Sequence, residues 1–146
     1  MEYRIAEIEL VYKPNKMVGV KIDSSEDVYK LMIQNWDSNR ISLVEEFKIL
    51  LLNRANHVLG IHSLSKGGIH GTIVDIKLLM GIVVKSAASG IILVHNHPSG
   101  QLIPSQSDRK VTYKIRDACE LMDVKLLDHI IISSGGLSSF SDKGLL

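Results

Sequence analysis

The chain has 146 residues, 45% of them hydrophobic, with 17 basic and 16 acidic side chains, which is the profile of one ordinary globular domain able to bury a core without staples. A net charge of +1 offers no sign of the basic face on which strong nucleic-acid binding depends. The single cysteine, Cys119, excludes an intrachain disulfide and a cysteine-based zinc site, and its amphipathic surroundings mark it as a small buried hydrophobe.

The amino terminus, Met-Glu-Tyr-Arg-Ile-Ala-Glu, has no apolar core of the kind a signal peptide carries. The longest apolar run, 78–84, is interrupted by Gly81 and flanked by Lys77 and Lys85, far short of the ~20 residues a membrane span requires. The expectation is a soluble, cytoplasmic protein that makes no membrane contact.

In chain order, residues 3–12 alternate loosely (Tyr3, Ile5, Ile8, Leu10, Tyr12) before Pro14, and predict a first strand whose apolar edge could pair two chains as a homodimer. Ser24 or Ser25 followed by Glu26 and Asp27 predicts a helix start, with acids at the positive end of the dipole. Val28, Leu31, Met32 and Trp36 share its apolar face. Residues 46–52, Glu-Phe-Lys-Ile-Leu-Leu-Leu, read as a central strand, and the polar turn 53–56 leads into a second strand from His57 to Leu64, a hairpin by pattern. Asp75 predicts the N-cap of a helix carrying Ile76, Leu79, Met80, Val83 and Ala87 on one face, closed by a left-handed Gly90. Ile91 to Val94 is a buried strand running into His95. Val111, Ile115, Ala118, Cys119 and Met122 mark the next helix, Val124 to Ser133 a last long strand, and Gly135-Gly136 a turn. Helices alternating with strands predict an α/β fold with helices packed on a mixed sheet.

The chemistry is concentrated in 94–108, Val-His-Asn-His-Pro-Ser-Gly-Gln-Leu-Ile-Pro-Ser-Gln-Ser-Asp. His95 and His97 close an apolar strand, where residues i and i+2 face the same side with Cα atoms ~6.6 Å apart, so two imidazoles can converge on one ion. Pro98 and Gly100 turn the chain, and Asp108 returns at the start of a helix to add an oxygen. Two imidazoles and one carboxylate leave a fourth position open, the pattern of a catalytic zinc site. Plainer readings exist: Ser105-Gln-Ser-Asp108 is also a helix capping box, and a lone strand histidine is usually a core residue. Two histidines on one face, followed by a turn and a returning acid, weigh toward a metal. Ser105 can both cap the helix with its backbone and offer its hydroxyl to the site.

His95-Asn-His97-Pro98, six residues, Ser105, two residues and Asp108 resemble the JAMM (MPN+) metalloprotease motif. Asn96, Ser99-Gly100 and Pro104-Ser105, with Leu127-Asp128-His129 further on, make the chain similar to the RadC-like branch of that superfamily over residues 43–146. The resemblance implies a cytidine-deaminase-like three-layer α-β-α sandwich, with 43–146 as the RadC-like JAB/MPN metal-binding domain and 1–42 as a strand-helix extension packed on it. It implies a Zn2+ ion held by His95, His97 and Asp108, a glutamate as general base on the water, and Ser105 as a donor to the oxyanion. Glu45 and Glu46 both occupy the base's place; alternation puts them on opposite faces, so one alone can reach the metal, and spacing to Phe47 favours Glu45. The implied activity is hydrolysis of a peptide or isopeptide bond in a protein substrate. The alternative is a DNA-repair-associated module with a structural or non-catalytic metal, since RadC-like proteins carry that label; the first forty residues hold neither a Gly-rich hairpin between helices nor a basic cluster. His57, His62 and His70 carry no ligand spacing, and His129 reads as a hydrogen-bonded strand histidine. Neither the His-x-Glu and Pro-Cys-x-x-Cys pair of nucleobase deaminases nor a phosphate loop is present.

Overall fold

The computed structural model describes residues 1–9, 19–67 and 73–146. Its elements are α1 (Ser25–Gln34), β1 (Glu46–Leu52), β2 (Val58–Lys66), α2 (Ile76–Ser86), β3 (Gly90–Asn96), α3 (Gln106–Leu121), β4 (Lys125–Ser133) and β5 (Gly136–Ser139). The strands form one sheet in the order β2-β1-β3-β4-β5. The β3–β4 pair is parallel and the other three are antiparallel, so the sheet is mixed. The parallel pair requires a crossover, and α3 supplies it.

Strand alternation builds two cores from one sheet. Phe47, Ile49, Leu51, Ile91 and Leu93 pack beneath Leu79 and Val83 of α2 and Ile115 and Cys119 of α3. Leu50, Leu52, Ile92, Val94, Ile130 and Ile132 pack against Val28, Met32 and Trp36 on the α1 side. The result is the three-layer α-β-α sandwich that the family resemblance implies. Leu93 is wholly buried, and truncating such a residue to Ala costs about 2–5 kcal/mol. Burial also pushes the Cys119 thiol up to about 11, as suits a packed hydrophobe rather than a nucleophile.

Local chemistry sets the helix starts. Ser24 Oγ accepts from Asp27 N–H at 3.2 Å while Asp27 Oδ2 accepts from Ser24 N–H at 3.1 Å, a reciprocal capping box. Asp75 caps α2 by accepting from Leu78 N–H at 3.0 Å. Among the described residues no helix is long and apolar enough to cross a membrane.

Three expectations need correction. Residues 3–9 form no strand and lie exposed without regular structure; residues 10–12 of that expected strand lie outside the described residues. Gly90 opens β3 instead of closing α2, and the left-handed position is taken by Ala87 at φ 54°. A Cβ on Gly90 would stand 3.0 Å from Leu127 Cδ1, so close strand packing accounts for that glycine. Finally, the Gly135-Gly136 turn is followed by a fifth strand pairing with β4, which no apolar alternation announces.

Candidate metal centre

The site forms at the carboxyl end of β3, the end of a parallel sheet where α/β proteins bind ligands. His95 is wholly buried in the strand, and His97 follows just past its end with 16% of its side chain exposed. Gly100, at φ 85°, closes the turn by donating its N–H to His97 O at 2.9 Å. The chain then runs extended to Ser105, the N-cap of α3.

Asp108 is both the capping acid of α3 and a wall of the site. Its Oδ2 accepts from Ser105 N–H at 2.8 Å, while the Ser105 hydroxyl oxygen accepts from Asp108 N–H at 3.0 Å. The serine side chain therefore makes the cap, as a capping box requires, and its own hydrogen remains to donate elsewhere. From that position Asp108 Oδ1 lies 3.3 Å from His95 Nε2, and Oδ2 lies 3.2 Å from His97 Nε2. The capping box and the ligand geometry are one arrangement, so the two readings of 105–108 do not compete.

Of the two glutamates, Glu45 faces the histidines, with Oε1 3.8 Å from His95 Nε2. Glu46 turns to the opposite face, 3% exposed, near Arg40 at 3.7 Å and Lys48 at 3.9 Å. Asn96 holds this register. Its Oδ1 accepts from Glu46 N–H at 2.7 Å, and its Nδ2 donates to Ile41 O at 2.7 Å and Val44 O at 2.8 Å. The wholly buried amide thus grips the backbone on both sides of Glu45. Burial raises the Glu45 carboxyl above its usual range, with His95 and His97 pulling the other way.

The imidazole tautomers follow from counting hydrogens. The Thr112 hydroxyl donates its one hydrogen to Asp108 O at 2.5 Å, so it can only accept from His129 Nδ1, also at 2.5 Å. His129 is wholly buried, and that burial, reinforced by His95, holds it neutral. Its Nε2 is then an acceptor, and takes the hydrogen of His95 Nδ1 at 2.7 Å. His97 Nδ1 donates to Gln101 O at 2.7 Å. Both ligand-candidate rings, when neutral, consequently turn a bare Nε2 inward, the two nitrogens 3.0 Å apart. Phe47 stacks on His95 with ring centroids 5.6 Å apart and planes within 6°, fixing the ring between an apolar face and the site.

Two imidazole lone pairs and the oxygens of Asp108 and Glu45 therefore converge within 4.8 Å of one another, the one such group of His, Cys, Asp and Glu side chains among the described residues. So many acceptors with no donor between them require a cation or protons. With protons in that role, burial opposes the charge on Asp108 but hydrogen bonds from His95 and His97 prevail, holding its carboxyl far below the usual range. The Asp108 hydrogen bond likewise raises His97 against the pull of burial. A metal ion would replace those protons, and the group could hold one.

All five residues singled out from the sequence meet here: His95, His97, Asp108 and Glu45 in the cluster, with Ser105 one turn away at the cap. His57 and His62 lie elsewhere, on the hairpin, and His70 lies outside the described residues. The connection of Thr112 and His129 to His95, and the grip of Asn96, carry no sequence signal of their own. They follow from parallel pairing that sets His129 opposite Leu93 and from strand pairing across fifty residues.

An α-β-α sandwich with a His-x-His pair at a strand end and an acid at the next helix start defines a JAB-type domain with a group that could hold a metal ion. Residues 22–145 match the family model for the RadC-like JAB domain, and the chain belongs to that family; the matched span takes in α1. It is 52% identical over 101 residues to a UPF0758 protein of Flavobacterium johnsoniae, covering 69% of this chain and 44% of that one. It is 43% identical over 103 residues to a UPF0758 protein of Porphyromonas gingivalis, covering 70% and 45%. A UPF0758 protein of Photorhabdus laumondii is 37% identical over 140 residues, 96% of this chain and 60% of that one. The chain thus spans about half the length of these relatives.

Proposed function

We propose that the chain is a zinc-dependent hydrolase of the JAMM type, cleaving a peptide or isopeptide bond with an activated water. One observation carries the reading: His95 Nε2, His97 Nε2 and the Asp108 carboxylate stand 3.0, 3.3 and 3.2 Å apart. Nitrogen and oxygen donors at ~2.0–2.1 Å from one tetrahedral zinc are separated by roughly 3.3 Å, so this donor set fits that ion in size and chemistry. Zinc bound there would supply Lewis acidity and bring the pKa of water toward neutrality.

The remaining work falls to the chain. Glu45, at 3.8 Å from His95 Nε2, is outside the three-donor set and adjacent to it, the place of a general base. It takes a proton from the attacking water as the new C–O bond forms, and delivers it to the nitrogen as the C–N bond breaks, leaving a carboxylate and an amine. A carboxyl raised by burial suits both halves of that exchange. The Ser105 hydroxyl, retaining its hydrogen, is available to the developing oxyanion, a contribution of about 3 kcal/mol in comparable sites.

Elemental analysis and assays on a panel of peptide and isopeptide substrates test the proposal. Glu45→Gln should keep one zinc per chain and an unchanged unfolding midpoint while hydrolysis falls by about 10²–10⁴-fold. Full activity in that variant would end the assignment, and loss of zinc or stability would make Glu45 a structural residue.

A further inference from the structure

Beside the metal centre lies a cleft of about 220 Å³ between β1, the segment before α2 and the first turns of α3. Glu45 and Asp108 form its inner end, and Phe47, Val74 and Val111 its apolar wall, with Ile73 at the mouth. Val74 and Val111 pack against the α2–α3 core yet remain partly exposed, and Ile73 is 89% exposed. Among the described residues, Val74 and Val111 extend the core as a partly exposed apolar wall that begins where the reacting bond would lie.

We infer that this cleft is a subsite for one aliphatic side chain of the substrate, next to the bond that is cleaved. The inference rests on the hydrolase reading for the position of that bond. Three features select the occupant. A volume below the ~300 Å³ at which drug-sized ligands begin suits a single side chain. Apolar walls gain only from covering by apolar atoms, so a glycine beside the bond would leave Ile73, Val74 and Val111 wet. A cationic side chain would find Asp108 already turned to both imidazoles, and most of its length and its charge would lie along the apolar wall. Ser107, the other polar residue of the lining, belongs to the first turn of α3 and does not alter that balance.

Three hydroxamates that share one chelating head separate the metal from the subsite without requiring turnover. Acetohydroxamate reports the metal alone, 4-methylpentanohydroxamate adds an isobutyl group, and 6-aminohexanohydroxamate adds a cationic chain. With zinc-loaded protein, calorimetry should find the isobutyl compound bound about ten-fold or more tightly than acetohydroxamate, and the cationic one no better than acetohydroxamate. Val111→Phe, which fills the cleft, should abolish the isobutyl advantage and leave acetohydroxamate affinity unchanged; Val111→Ala should preserve the advantage. Equal affinities in the wild type, a preference for the cationic chain, or an advantage that survives Val111→Phe would each overturn the subsite. Preserved isobutyl selectivity in a protein that hydrolyses no peptide would overturn the hydrolase reading and leave the subsite standing.

Discussion

Asp128 and His129 are neighbours on β4 that face opposite sides of the sheet, and the polar clusters they join differ in the balance of donors and acceptors. On the α1 side, Asp128 accepts from Ser139 O–H at 2.5 Å, Ser141 N–H at 2.9 Å and His129 N–H at 2.7 Å. Ser139 Oγ in turn accepts from Asp142 N–H at 3.0 Å, so the cluster closes on itself. On the α3 side, His129 passes the requirement for a donor to His95, and the chain of hydrogen bonds ends at nitrogens and oxygens that only accept. Both clusters have buried centres, Asp128 and Ser139 in one and His95 and His129 in the other, and both contain an acid. Surplus acceptors separate a place that calls for a ligand from one that is merely satisfied, and burial or charge alone would not have distinguished them.

The sharpest test of this contrast removes one group from each side. His95→Ala should lower metal affinity by more than the ~100-fold typical of losing an outer partner, whereas Asp128→Ala should leave metal content unchanged; chelator competition reads both. Acidification should loosen the metal through the histidines. Metal requires neutral imidazoles, and the His97 pKa lies above its ordinary value. Metal is therefore held above that raised pKa and released as pH falls through it, by about ten-fold per unit for each proton taken up. Metal content unaffected by pH from 8 to 5 would contradict the assignment of Nε2 as a bare ligand.

Smaller effects should come from the supports. His129→Phe keeps the stacking on Phe140, whose ring centroid lies 4.8 Å away, but removes the acceptor of His95 Nδ1, and should weaken metal binding about 10–100-fold while the fold survives. Asn96→Ala strands Glu46 N–H, Ile41 O and Val44 O and should cost about 1–3 kcal/mol by denaturant unfolding, with metal retained. Asp128→Ala should show a similar loss of stability for the same reason. If that variant lost metal instead, the two faces would not be independent.

Much of this was legible in the chain because local rules governed it. β1 stands at Glu46–Leu52, where the run ending in Ile-Leu-Leu-Leu predicts a central strand, and Asp75 caps α2. The His-x-His step needs only strand alternation, and Asp108 only a helix start. The adjacency of Glu45 and Glu46 was itself informative, since alternation forbids both from facing the histidines. What stayed hidden depended on partners distant in sequence. The four-residue strand β5 pairs through Leu137 and two serines, too short and polar for periodicity to reveal. His129 reads as an ordinary strand histidine until parallel pairing brings its ring to His95. The 3–12 alternation reads as a strand, but residues 3–9 pair with no strand among the described residues, and alternation alone does not make a strand.

Asn96 sits between the two histidines and points the opposite way, and this has a consequence for assembly. Three of the four converging side chains lie within fourteen residues, so a loop and one helical turn suffice to gather them. The fourth arrives when β1 docks against β3, and the side chain that secures it belongs to the same three-residue step that sets the histidines. A slip of one residue between these strands would turn Glu46 inward and break the Asn96 grip at the same moment. The register is thus an interlock: the pairing that turns Glu45 to the histidines is the same one that sets Glu46 beside Arg40 and Lys48 and closes the Asn96 grip.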